Sequence, residues 1–141
     1  TTPGIDIEFI DQLDGRRKYC QIKAGPNTIN KDDITTIINH FEAIRRLARA
    51  NGLREFNADI DCIVGVFYGA NEDLSTMYKT INKSHPVYAG QDFWHHLTGD
   101  ENFYNELIGE IASIATEVDG TNLLNSVIDQ LAAEIEEKYN Q

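Results

Sequence analysis

The chain reads as an α/β protein: a mixed central sheet, built of an antiparallel hairpin plus a crossover parallel strand and flanked by helices, with a helical C-terminal third. Three observations predict this. Two arms of alternating apolar and polar residues flank Asp14-Gly15, and alternation is the period of a strand. Apolar residues then recur at helical spacing from Ile34 to Ala48. A nearly continuous apolar run follows between Asp59 and Tyr68, as expected of a strand covered on both faces. Strand, helix and strand in that order connect by a right-handed crossover.

The first arm is Gly4-Ile5-Asp6-Ile7-Glu8-Phe9-Ile10 and the second is Arg17-Lys18-Tyr19-Cys20-Gln21-Ile22-Lys23. Asp-Gly between such arms is a hairpin signal, because Gly accepts the positive φ of a tight turn. A two-residue turn sets Leu13 opposite Arg16, Glu8 opposite Gln21 and Asp6 opposite Lys23. Side chains two apart share a face, so Asp6, Glu8, Gln21 and Lys23 gather on one face, with Ile7, Phe9, Cys20 and Ile22 on the other. Two acids, an amide and an ammonium on one strand pair suit a hard cation and an activated water. The plain alternative is a solvated face, with Asp6 and Lys23 forming a surface pair worth little.

Asn30 is the expected helix N-cap, with Asp32 and Asp33 in the first turn. Ile34, Ile37, Ile38, Phe41, Ile44, Leu47 and Ala48 form the buried stripe, and Asn51-Gly52 ends the helix. After the central strand, Gly69-Ala70-Asn71 reads as a loop and Leu74–Ile81 as a short helix. Pro86–Ala89 reads as an edge strand, since Pro is tolerated at its start. Gln91–Leu97 reads as a helical turn, where the neighbouring His95 and His96 point about 100° apart and serve as packing or surface histidines rather than ligands. Glu101–Glu117 continues as a helix, broken at Asp119-Gly120. A last helix, capped by Thr121, carries Leu123, Leu124, Val127, Ile128, Leu131 and Ile135 along one side. Residues 1–141 are read as one domain, of which 101–141 is the acidic helical part.

Of 141 residues, 41% are hydrophobic, the composition of an ordinary globular protein. No apolar run reaches membrane-span length, and no basic-then-apolar leader opens the chain. Cytoplasmic, prokaryotic-type intracellular residence is the expectation. Cys20 and Cys62 are too few for a disulfide scaffold and read as buried thiols; Cys and His show no zinc-site spacing. The net charge of -11 argues against simple nucleic-acid binding. Its distribution answers the objection: residues 1–83 hold 11 of the 12 basic residues against 12 acids, while residues 84–141 hold Lys138 and 11 acids. Arg16, Arg17 and Lys18, with Arg45, Arg46, Arg49 and Arg54, mark a basic side that could follow DNA. Cations at a helix C-terminus equally offset its dipole.

The Asp6 strand and Gln21-Ile22-Lys23 resemble the PD-(D/E)xK nuclease superfamily, which carries an Asp on one strand and an acid-x-Lys on the next. Gly4-Ile5 stands where Pro often precedes the Asp, and Gln21 stands where Asp or Glu is usual. The segments QIKAGPNTINKDD (Gln21 to Asp33), VGVFYG (Val64 to Gly69) and YAGQDFWHHLTGD (Tyr88 to Asp100) are similar to type II restriction endonucleases. The resemblance implies a Mg²⁺-dependent endonuclease, with Mn²⁺ a substitute, that hydrolyses double-stranded DNA as a homodimer. It implies metal ligation by Asp6 and the Ile22 carbonyl, a water- and phosphate-orienting role for Lys23, and a neutral oxygen from Gln21. Glu8 is the expected source of the missing acid, with Glu42 on the following helix the second candidate. The superfamily core has a helix and a strand before the Asp strand, whereas only Thr1 to Gly4 precede it here. An N-terminally truncated part, or a core completed differently, is expected. The second reading is an inactive nuclease-fold domain that binds DNA or protein; the third is a nuclease acting on ends or junctions.

Overall fold

The structure, a computed structural model, describes residues 2–115 and 120–139. Four strands, β1 (Ile7–Ile10), β2 (Arg17–Lys23), β3 (Cys62–Val66) and β4 (Val87–Ala89), lie side by side in sequence order. β1 and β2 are antiparallel; β2, β3 and β4 run parallel. The mixed sheet, the crossover to β3 and an edge strand at β4 follow the expectation from sequence; the parallel pairing of β4 with β3 is a further crossover.

Helix α1 (Lys31–Ala50) makes the first crossover. Its N-terminus is closed by a reciprocal capping box: Asn30 Oδ1 accepts the Asp33 N–H at 3.0 Å and Asp33 Oδ2 accepts the Asn30 N–H at 2.7 Å. Ile37, Phe41, Ile44 and Ala48 bury one stripe against the sheet, where each large apolar side chain contributes about 1.5–3 kcal/mol. Helices α2 (Ala58–Asp61) and α3 (Thr76–Asn82) cover the same face. Helices α4 (Gln91–Thr98), α5 (Phe103–Ala115) and α6 (Gly120–Tyr139) belong to the opposite layer. There Phe93, Trp94, Leu97 and Ile135 pack on Ile7, Phe9, Cys20 and Ile63. Gly65 lets the Phe93 ring sit directly on β3, since a Cβ would overlap that ring. Glu117 and the Asp119 half of the expected break lie outside the described residues, as do the side chains of Thr121, Leu123, Leu124 and Ile128.

Two expectations are corrected. The hairpin turn is longer than two residues: Asp11 N–H reaches Arg16 O at 2.8 Å, and Gly15 N–H reaches Asp11 O at 2.8 Å. Leu13 therefore does not face Arg16, and Glu8 pairs with Tyr19 rather than Gln21. Asp11 is the cause, because its carboxylate folds the loop inward by accepting the Leu13 N–H at 2.8 Å. The shift is two residues, so every side chain keeps its face. Second, the run expected to start a strand at Asp59 begins as the helical turn α2. Asn57 Oδ1 caps the Asp59 N–H at 3.0 Å, and Ile60 is left 40% exposed.

Candidate active site

The N-terminal segment enters β1 through a turn in which the Ile5 N–H bonds to Thr2 O at 3.1 Å. Pro3 and Gly4 occupy the two central positions, and Gly4 has φ +80°. That is the type II pattern, which needs positive φ at its third residue. The turn delivers Asp6 to the end of β1, where its N–H bonds to Cys20 O at 2.9 Å and its Oδ2 accepts the Ile22 N–H at 2.7 Å. Asp6 stands one residue before β1, and the carbonyl its N–H meets belongs to Cys20, the residue that pairs with Ile7. Backbone groups of alternate residues face alternate neighbours. Lys23 O is turned to β3, where it accepts the Phe67 N–H at 2.9 Å. Ile22 is the alternate residue, so its carbonyl faces the β1 side, as its N–H does.

Asp6, Gln21 and Lys23 line one cleft of about 240 Å³ with Gly4, Ile5, Asp33, Thr36, Ile37 and His40. Three of the expected site side chains are thus brought together at the end of the hairpin. Glu8 is on the same face but does not line this cleft. It accepts a hydrogen bond from Thr2 Oγ1 at 3.3 Å and meets Arg17 at 3.8 Å. Glu42 turns elsewhere: it pairs with Arg45 at 3.2 Å and lines a separate cleft with Asp59 and His85. The second carboxylate in the Asp6 cleft is Asp33, from the first turn of α1.

Asp33 and His40 were within reach of sequence reasoning, because residues 33, 36, 37 and 40 share one stripe of a helix. The sequence pattern by itself assigns only Asp33, to the first turn, and Ile37, to the core. Gln21 is 6% exposed, so its amide needs partners. One is His40, whose Nδ1 lies 3.3 Å from Gln21 Nε2. The His40 ring also rests on Gly4, where a Cβ would overlap it.

A larger groove of about 670 Å³ opens near the far end of α1, lined by Arg16, Arg45, Arg49 and Arg54 among others. It contains none of the Asp6 set. Several of the basic residues expected to follow DNA are already committed. Arg16 grips Asp61 through Nε and Nη2 at 2.7 and 2.8 Å. Arg45 reaches Asp59 at 2.6 Å. Lys18 is 1% exposed and bonded to Asp14 at 2.6 Å.

Asp6, the Ile22 carbonyl and the Gln21 amide offer oxygen donors, the chemistry a hard divalent cation requires. Among the described residues no three His, Cys, Asp or Glu side chains form a metal-binding group. Mg²⁺ commonly binds through one or two carboxylates and keeps several of its waters; Asp6, Gln21 and the Ile22 carbonyl are the groups that would hold such an ion here. Both thiols are buried and free. Burial pushes Cys62 up to about 12 and Cys20 higher still, so neither is a nucleophile at neutral pH.

An antiparallel hairpin whose second strand is joined by a crossing helix to a parallel third strand, with further helices on the other face, is consistent with a restriction-endonuclease-like nuclease. The family model of the type II restriction endonuclease EcoO109I matches residues 1–119, and the chain belongs to that family. No curated protein matches it. Among the described residues no helix is long and apolar enough to cross a membrane.

Proposed function

We propose that the chain is a Mg²⁺-dependent type II restriction endonuclease, or its catalytic portion, hydrolysing phosphodiester bonds of double-stranded DNA as a homodimer. The observation that carries this reading is the Asp6 carboxylate held on the Ile22 N–H at 2.7 Å, in one cleft with Gln21 and Lys23. Asp6, the Ile22 carbonyl and Gln21 Oε1 would hold the ion, and Asp33 supplies a further carboxylate at the rim. When bound, Mg²⁺ lowers the pKa of a coordinated water and offsets charge on phosphate oxygens. Lys23 orients the attacking water and meets the charge that develops on the phosphate. Gln21 can present a neutral oxygen but cannot take a proton. In the reaction the water oxygen bonds to phosphorus, the P–O ester bond breaks and the leaving oxygen takes up a proton. Mn²⁺ is expected to substitute for Mg²⁺.

The test is plasmid cleavage with Mg²⁺, comparing the parent with Asp6→Ala and Lys23→Ala. Discrete fragments from the parent are expected, with a fall of at least about a hundredfold in either variant. Cleavage unchanged in both variants would overturn the assignment.

The second reading, an inactive nuclease-fold module that binds DNA or protein, is favoured by one observation: Gln21 leaves the hairpin's contribution to the cleft at a single carboxylate. Calorimetric titration with Mg²⁺ separates the two. Binding lost in Asp6→Ala supports the enzyme, and a parent that binds no ion supports the module.

A further inference from the structure

Two departures from the superfamily pattern, Gly4-Ile5 before the Asp and Gln21 in place of an acid, meet at one residue that neither motif contains. His40 lies against Gly4 on one side, in space that any Cβ there would fill. On another it places Nδ1 at 3.3 Å from Gln21 Nε2. All three residues line the Asp6 cleft.

We propose that His40 is a positioning residue, which fixes the amide of Gln21 so that Oε1 faces the cation site. The reason lies in the difference between an amide and a carboxylate. A carboxylate offers an acceptor oxygen whichever way its plane is turned, whereas an amide turned by half a revolution presents an NH₂ group instead. An NH₂ aimed at a cation repels it. A residue that substitutes Gln for an acid therefore needs a partner that holds Nε2 away from the ion. With its proton on Nε2, the His40 ring offers Nδ1 as that acceptor, and Gly4 supplies the room for the ring. Since the nitrogen and oxygen of a planar amide diverge, tying Nε2 to His40 fixes the direction of Oε1. This inference rests on the proposed Mg²⁺ site.

A plain structural role makes a different prediction. If His40 merely satisfies a buried amide, removing it lowers stability and leaves ion affinity alone. The test is a double-mutant cycle read by calorimetric titration of the intact chain with Mg²⁺, repeated with Mn²⁺, and melting temperature recorded for each variant. His40→Ala should weaken ion binding on the order of tenfold, the effect typical of a residue that orients a ligand. His40→Gln, whose own oxygen can accept from Nε2, should recover most of that loss. In a Gln21→Glu background, His40→Ala should change the affinity by less than about twofold, because either carboxylate oxygen serves.

Equal losses in the two backgrounds, or a His40→Ala protein that binds the ion as the parent does, would overturn the assignment while leaving the cation site standing. A parent that binds neither ion removes the site and the positioning role together. Should His40→Ala fail to fold, His40→Phe, which keeps a ring but offers no acceptor, is compared in the two backgrounds and should weaken ion binding only where Gln21 is present. An affinity that differs from parent equally in both would overturn the proposal.

Discussion

Asp11 shows how one side chain shapes the hairpin and ties it to the rest of the molecule. It is fully buried, and a buried carboxylate persists only when paired. It accepts the Leu13 N–H at 2.8 Å, meets His96 Nδ1 at 2.7 Å and lies 3.6 Å from Lys18 Nζ. Burial alone would push its carboxyl up, but the hydrogen bonds from His96 and Leu13 and the neighbouring charges hold it below the usual carboxylate range. Removing it leaves Lys18 buried beside a single remaining carboxylate, so Asp11→Ala should cost about 3–5 kcal/mol, measured by urea unfolding at neutral pH. Because the folded-state pKa is depressed, this stabilisation is complete above the unfolded value of about 3.9 and disappears as pH falls through the lower folded value. The gap between parent and variant should therefore close in acid. A gap that widens below pH 4 would contradict the sign.

At the scale of elements, the hydrophobic pattern made most of the fold legible before any coordinate. The α1 stripe of Ile37, Phe41, Ile44 and Ala48, the buried run of β3 and the alternation of the hairpin each follow from a period imposed by burial. What escaped was set by polar side chains binding nearby backbone, which leaves no periodic trace. Asp11 lengthened the hairpin loop, and Asn57 turned the start of an apolar run into α2. Of the residues that line the Asp6 cleft, Asp6, Gln21 and Lys23 were legible because a two-residue register shift preserves the face. Asp33 and His40 share a helical stripe that the sequence does show, but their place at the cleft depends on how α1 crosses the sheet.

A contact between elements supplies the next prediction. His85, just before β4, is 2% exposed, with its Nδ1 at 2.9 Å from Ala58 O of α2 and its ring edge-on to Phe41 of α1 at 4.8 Å. Burial holds its pKa below the ordinary imidazole value, outweighing the Ala58 hydrogen bond. The unfolded chain thus binds a proton that the folded chain resists, so stability is full above about pH 6.5 and declines as pH falls toward the folded value. Urea midpoints measured from pH 8 to pH 5 should fall in the parent, and His85→Phe should remove part of that slope. An identical slope in both proteins would place the acid sensitivity elsewhere.

The whole molecule separates its charge by sheet face. The Asp6 cleft is on the α1 side, while α4, α5 and α6 pack against the other side of the sheet. Those helices belong to the segment, residues 84–141, that holds 11 acids and one basic residue. A sheet with a helical layer on each face interposes more than about 10 Å of protein between the two sides. That exceeds the Debye length of about 8 Å at physiological salt, whereas at 0.01 M salt the length is about 30 Å. A protein of net charge -11 can then approach a polyanion on the α1 side, provided the ionic strength screens the far helices. The triple variant Glu106→Gln, Glu110→Gln, Glu134→Gln tests this by duplex binding in fluorescence anisotropy with Ca²⁺ in place of Mg²⁺. Affinity should stay within about twofold of the parent at 0.15 M salt and rise several-fold at 0.01 M, as unscreened repulsion from the far face is relieved. A large gain already at 0.15 M would mean that the acidic helices border the DNA, and would move the substrate off the α1 side.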